Sequence, residues 1–184
     1  MTDAGPTTSS PKKHSGTRNL VEWVVVIVSA LLVAVLVKTF LVQAFYIPSP
    51  SMTPTLKVDD RVLVNKLSYD LHGVHRGDII VFKSPQPAAE KDLIKRVVGL
   101  PGETVEGRDG HVVVNGEELK ESYLPAGVQT GTFGPVTLTP GHYWVMGDNR
   151  PNSSDSRVFG AIPKSLIIGR AFVKVWPLGS FRFF

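Results

Sequence analysis

Ile47-Pro48-Ser49-Pro50-Ser51-Met52-Thr53-Pro54-Thr55-Leu56 marks where this chain changes character. Before it lies an apolar run of membrane length; after it come short β-rich stretches broken by Gly and Pro. Three prolines within seven residues fix φ and hold the residues before them in extended backbone, so the segment has few conformations to choose from. That rigidity suits a reacting hydroxyl, and Ser51 is the candidate. A hydroxyl is a weak nucleophile at neutral pH, so the rest of the chain must supply a base.

The chain has 184 residues, enough for one catalytic-size domain and a tail. With no cysteine there is no disulfide framework, thiol nucleophile or thiolate metal site. The net charge of +4 is carried by scattered basic residues without an aromatic-interleaved stripe, which argues against nucleic acid as a partner. No clustered ligand spacing suggests a metal, and no Gly-x-x-x-x-Gly-Lys loop suggests a nucleotide, so no cofactor is expected.

Residues 1–19 are rich in Ser, Thr, Gly and Pro, with Lys12, Lys13, His14 and Arg18, and read as a disordered cytoplasmic tail. From Leu20 to Val37 the chain is apolar apart from Glu22 and Ser29, and it stays largely apolar after Lys38 as far as Ile47. About 20 residues span a bilayer core, so a single transmembrane helix is expected over 20–46. A cleaved signal peptide is the competing reading. The apolar stretch is too long for one, and no small-x-small site precedes a polar start. The basic tail sets the N-terminus in the cytoplasm and residues 47–184 outside it, in a cell-membrane protein with a single span.

Beyond the proline-rich stretch, strands are expected over Arg61–Leu67, Gly77–Phe82, Asp92–Val98, Val112–Val114, His142–Met146 and Leu166–Trp176. Asn115-Gly116 signals a hairpin. Many short strands with Gly and Pro punctuation predict a mostly β fold, an antiparallel sheet or barrel-like domain. The aromatic end from Trp176 to Phe184 suits either core packing or contact with a bilayer surface.

Two bases can be weighed against Ser51. Of five histidines only His142, near Asp148, invites a triad, and no motif around it demands one. The other is Lys95, set between Leu93-Ile94 and Arg96-Val97-Val98. Lysine titrates at about 10.4 in water, so a base at neutral pH needs a shift of about three units, costing about 4 kcal/mol. Burial among apolar neighbours and a nearby cation can provide it. Strand alternation would send Lys95 and Arg96 to opposite sides. The plainer alternative is that Lys95, like most strand lysines, faces water.

Four segments then settle into a pattern. Ser49-Pro50-Ser51-Met52-Thr53-Pro54-Thr55-Leu56, Gly77-Asp78-Ile79-Ile80-Val81-Phe82, Lys95-Arg96-Val97-Val98-Gly99-Leu100-Pro101-Gly102-Glu103, and Gly147-Asp148-Asn149-Arg150 through Ser153, Asp155, Ser156 and Arg157 occur in the order seen in type I signal peptidases. The chain resembles a bacterial member of that Ser-Lys peptidase family from the membrane helix to about Trp176.

The resemblance implies roles. Ser51 would be the nucleophile and Lys95 the general base, with Ser153 orienting the lysine amine. The Ser51 N–H and the Ser49 hydroxyl would form the oxyanion hole. Asp148 with Arg96, and Asp155 with Arg157, would be structural ion pairs. Phe45, Ile47, Met52, Leu56, Val81 and Ile94 match positions lining shallow apolar pockets, with core packing as the simpler reading of each. The implied substrate is a secretory preprotein at the membrane surface, cut after an Ala-x-Ala type site. Pro50 stands where many relatives have glycine, and the short stretch between Lys95 and Ser153 implies a compact, single-anchor form of the Gram-positive type. Two other readings compete: a Ser-Lys self-cleaving regulator, against which the absence of a DNA-binding half argues, and a membrane-tethered module that binds peptides by strand addition without cutting them.

Overall fold

The computed structural model describes residues 16–36, 41–86 and 92–184. The tail over 1–15, Lys38 with its neighbours, and Pro87 lie outside the described residues. The chain forms two units, Met1–Lys38 and Thr39–Phe184.

In the first unit a helix, α1 (Gly16–Leu36), runs for 21 residues and begins inside the stretch expected to be a tail. Its apolar side chains, among them Leu20, Trp23, Val25 and Leu31, are exposed. Among the described residues no helix is long and apolar enough to cross a membrane.

The second unit corrects the expected helix over 20–46. Val42–Tyr46 is a strand, β1, paired antiparallel with β2 (Arg61–Asn65), from Val42 opposite Asn65 to Tyr46 opposite Arg61. There Phe45 packs on the core while Tyr46 is exposed and donates its hydroxyl to Asp59. The remaining elements are α2 (Ser68–Leu71), β3 (Ile79–Lys83), β4 (Asp92–Gly99), β5 (Thr104–Arg108), β6 (His111–Val114), β7 (Glu117–Glu118), β8 (Phe133–Thr137), β9 (His142–Met146), α3 (Ser156–Phe159), β10 (Ile162–Pro163), β11 (Ile167–Trp176) and β12 (Arg182–Phe183).

The strands form two antiparallel sheets. The larger runs β1-β2-β11-β3-β4-β9-β10, with β12 also on β11; the smaller runs β7-β6-β5-β8. The fold is thus mostly β, and the larger path is an open sheet rather than a closed barrel. The β3 run Ile79-Ile80-Val81-Phe82 shows why it is central. Alternate residues enter different cores, Ile79 and Val81 with Ile47, Met52 and Leu56, and Ile80 and Phe82 with Val97 and Val145. A strand covered on both faces reads as a continuous apolar run. A third core, including Val98, Val105, Leu138 and Trp144, joins the smaller sheet to β4 and β9.

The smaller sheet was only half expected. Asn115 and Gly116 turn with φ of 53° and 87° between β6 and β7, the geometry that Asn-Gly favours. Asp109-Gly110, with φ of 52° and 82°, closes β5 on β6 in the same way and is an equally strong signal in the sequence. β8 carries Gly134 and Pro135, residues that by themselves favour a loop. As an edge strand it can carry a proline without losing a ladder bond.

Gly169 marks the tightest approach between β2 and β11, since a Cβ there would run into the carbonyl of Asn65 and the side chain of Val64. Gly169→Ala is expected to destabilise the fold by about 1–3 kcal/mol, as overpacking against backbone does. Gly179→Ala, which meets nothing, is the control. Urea unfolding in detergent checks both, and equal midpoints would contradict the close approach.

Candidate active site

Pro50–Met52 forms one 3-10 turn, entered from extended Ser49. Pro50 takes the first position, where its missing N–H costs nothing. Met52 and Leu56 are wholly buried and anchor the segment in the core beneath it. Ser51 itself is 8% exposed. Its carbonyl accepts the backbone N–H of Asn149 at 3.0 Å, while the Asn149 side-chain amide donates to the Pro50 carbonyl at 3.1 Å. The turn is therefore clamped from outside by the segment after β9.

Lys95 lies in β4 opposite Ile80. Only 3% of its surface is exposed, which excludes the water-facing alternative. Its Nζ donates to Ser51 Oγ at 2.8 Å and to the Ile94 carbonyl at 3.0 Å. Burial pushes the amine down to about 8, against the pull of the nearby Asp155 and Asp148 carboxylates. A hydroxyl thus faces an amine that holds its proton loosely.

Both acids are themselves neutralised. Arg96 grips Asp148 through Nε at 2.9 Å and Nη2 at 2.7 Å, and Thr55 donates to the same carboxylate at 2.5 Å. Arg157 grips Asp155 through Nε and Nη2, both at 2.8 Å. Burial alone would raise Asp155, but the bonds from Arg157 and from the Gly147 N–H hold it below the usual carboxylate range. Asp148 and Asp155 are 1% and 0% exposed, so these are interior pairs, where loss of one partner strands a charge.

Two expected contacts differ. Ser153 makes no bond to the lysine amine in this structure. It leans toward Asp155, yet its buried Oγ is in no well-formed hydrogen bond and packs over the Cα of Gly147, where any Cβ would collide with it and with the Ser51 carbonyl. Ser49 Oγ donates to Ser51 Oγ at 3.3 Å. Among the apolar candidates, Ile47, Met52, Leu56 and Val81 are at most 2% exposed and fill the core; Ile94 and the half-buried Phe45 stand at its margin. His142 bonds Thr139 and the Pro140 carbonyl, and Asp148 is engaged by Arg96 and Thr55, so these two form no triad.

Residues the sequence reading missed surround this centre. Arg150 is 1% exposed and is held by Glu121, and the ring of Tyr123 lies 3.9 Å from the Arg96 guanidinium carbon. Arg150 sat in a recognised motif, but nothing in the loop over 119–131 signals that Glu121 and Tyr123 return to it. Among the described residues no cluster of His, Asp or Glu could hold a metal ion.

Comparison with known proteins agrees with this chemistry. The family model described as signal peptidase, peptidase S26, matches residues 20–176. The signal peptidase I of Leptolyngbya laminosa is 43% identical, over 95% of this chain and 87% of its own. A probable signal peptidase I-2 of Synechocystis is 41% identical over 92% and 80%, and signal peptidase IB of Staphylococcus aureus 34% over 90% and 94%. With four ordered motifs, a lysine amine on a serine hydroxyl, and relatives matched across nearly the whole chain, this protein belongs to the signal peptidase family, peptidase S26, and is a peptidase.

Proposed function

We propose that this chain is a membrane-anchored serine endopeptidase that removes signal peptides from secretory preproteins, using Ser51 as nucleophile and Lys95 as general base. The observation that carries the proposal is the 2.8 Å bond between a buried lysine amine and the Ser51 hydroxyl.

Neutral Lys95 takes the Ser51 proton as Oγ attacks the scissile carbonyl. The Ser51 N–H sits at the start of its 3-10 turn, where no earlier carbonyl in the turn can accept it, and is placed to bind the developing oxyanion. The Ser49 hydroxyl, now on Ser51 Oγ, would swing to the same oxygen as that Oγ becomes an ester. The Lys95 ammonium then gives its proton to the leaving amine, the C–N bond breaks, and an acyl-enzyme remains on Ser51. Water, deprotonated by Lys95, attacks the ester; the proton returns to Ser51 Oγ and the signal peptide leaves as a carboxylate. Ser153, buried beside Asp155 with its hydroxyl uncommitted, would orient the ammonium during these transfers. Phe45 and Ile94, at the margin of the core, would border the substrate side chains.

The exposed apolar surface of α1 supports its role as an anchor, with the basic tail in the cytoplasm and the peptidase unit outside. Tethering enzyme and preprotein to one surface raises their effective concentration without new contacts.

Cleavage of an Ala-x-Ala preprotein in detergent checks the mechanism. Ser51→Ala and Lys95→Ala are each expected to lose about 1000-fold or more, and His142→Ala to keep wild-type activity. Activity surviving in folded Lys95→Ala would sink the dyad.

Because only neutral Lys95 accepts the proton, kcat/KM is expected to rise with pH and to level off above about 8, the value to which burial lowers the amine. A rate that is flat from pH 6 to 9 (about) would show that Lys95 is not the base. For the anchor, the full chain is expected to remain in membranes through alkaline carbonate extraction. Its release into the supernatant would refute a spanning segment.

A further inference from the structure

The smaller sheet sends one segment back to the reacting pair. Glu121 and Thr130 stand near the two ends of the stretch after β7, and both close on Arg150. Arg150 Nη1 donates to Glu121 Oε2 and to Thr130 Oγ1, each at 2.7 Å, and Nη2 donates to Glu121 Oε1 at 2.5 Å. Arg157 adds a bond from Nη1 to the Thr130 carbonyl and another from Nη2 to the Arg150 carbonyl, both at 2.8 Å. Thr130 is 2% exposed, so these contacts are interior ones.

Arg150 passes this grip to a single point. Its Nε donates to the Gly147 carbonyl at 3.1 Å, while the Gly147 N–H is held by Asp155 Oδ2 at 3.0 Å. Gly147 is where the Ser51 carbonyl and the Ser153 hydroxyl press against the backbone so closely that no Cβ would fit. A displacement of Gly147 therefore moves Ser51 relative to Lys95.

We propose that the stretch 121–130 is a brace in which Glu121 and Thr130 are positioning residues, setting the Ser51–Lys95 geometry by holding Arg150 against Gly147. This rests on the reading of Ser51 and Lys95 as the reacting pair. Neither brace residue touches substrate; both act through Arg150.

The test uses the full chain in detergent, with Glu121→Gln, Thr130→Val and, as control, Glu118→Gln, which alters an exposed pair with His111. Steady-state cleavage of the Ala-x-Ala preprotein is measured beside hydrogen exchange of peptides covering 49–53, 147–150 and β11. Glu121→Gln is expected to lower kcat by about 30-fold or more with KM within about twofold, because the defect is misplacement rather than lost binding. Thr130→Val, which removes one acceptor and keeps the side-chain shape, should lose about fivefold in kcat. In both variants exchange should quicken at 49–53 and 147–150 while β11 is unchanged, and Glu118→Gln should match wild type in every measurement. Exchange at those two peptides equal to wild type, or quickened equally throughout the fold, would overturn the brace. So would wild-type kcat in the folded variants. If Glu121→Gln does not fold, Thr130→Val decides. An inactive wild type would refute the peptidase mechanism, and exchange alone would then judge the brace.

Discussion

The burial of one amine sets the terms for the rest of the structure. Lys95 Nζ lies out of water on the hydroxyl of Ser51, and desolvation lowers its proton affinity from 10.5 to about 8. At roughly 1.4 kcal/mol per unit this is about 3 kcal/mol, charged against the ammonium form. Two buried carboxylates close by, Asp155 and Asp148, work in the other direction. Each of those acids is itself paired with an arginine, Asp155 with Arg157 and Asp148 with Arg96. The ion pairs thus hold the motif, and loss of either arginine would leave an uncompensated buried acid near the amine.

Such an interior is expensive in desolvation. Arg150, Asp148 and Asp155 are all at most 1% exposed, and apolar residues in their place would pack at less cost. What the charges supply is directionality. Asp155 accepts the N–H of Gly147 and the Arg150 guanidinium donates to its carbonyl, so both backbone groups are fixed in direction. A hydrophobic seat would leave the Ser51 turn free to slide along it. Stability is supplied elsewhere, by β3 and its neighbours, whose alternate residues fill cores on both faces of the larger sheet.

Two hydroxyls flank the Ser51–Lys95 contact. Ser49 leans on Ser51 Oγ, and Ser153 has a buried oxygen in no well-formed bond. An uncommitted buried hydroxyl is costly, and a partner brought to Ser153 would relieve that cost.

The sequence by itself marked out the candidate residues and the mostly β fold class. Pro-rich rigidity around Ser51, an isolated lysine in an apolar run, and the Gly-Asp-Asn-Arg motif are local signatures, and short strands bounded by Gly, Asn and Pro announce an antiparallel β fold. It did not determine where the apolar run stops being helix. Val42–Tyr46 continues the largely apolar run that starts in the helix, and pairing with β2 makes it a strand. Nor did it disclose β8, whose Gly134 and Pro135 read as loop until an edge position made them tolerable, or whether Lys95 was covered. Glu121 and Tyr123 were invisible for the same reason: Glu121 lies 29 residues from Arg150, in a loop without periodicity, and no local rule links such positions. Chemistry written in adjacent residues is legible, whereas burial and long-range pairing exist only once distant segments have packed together.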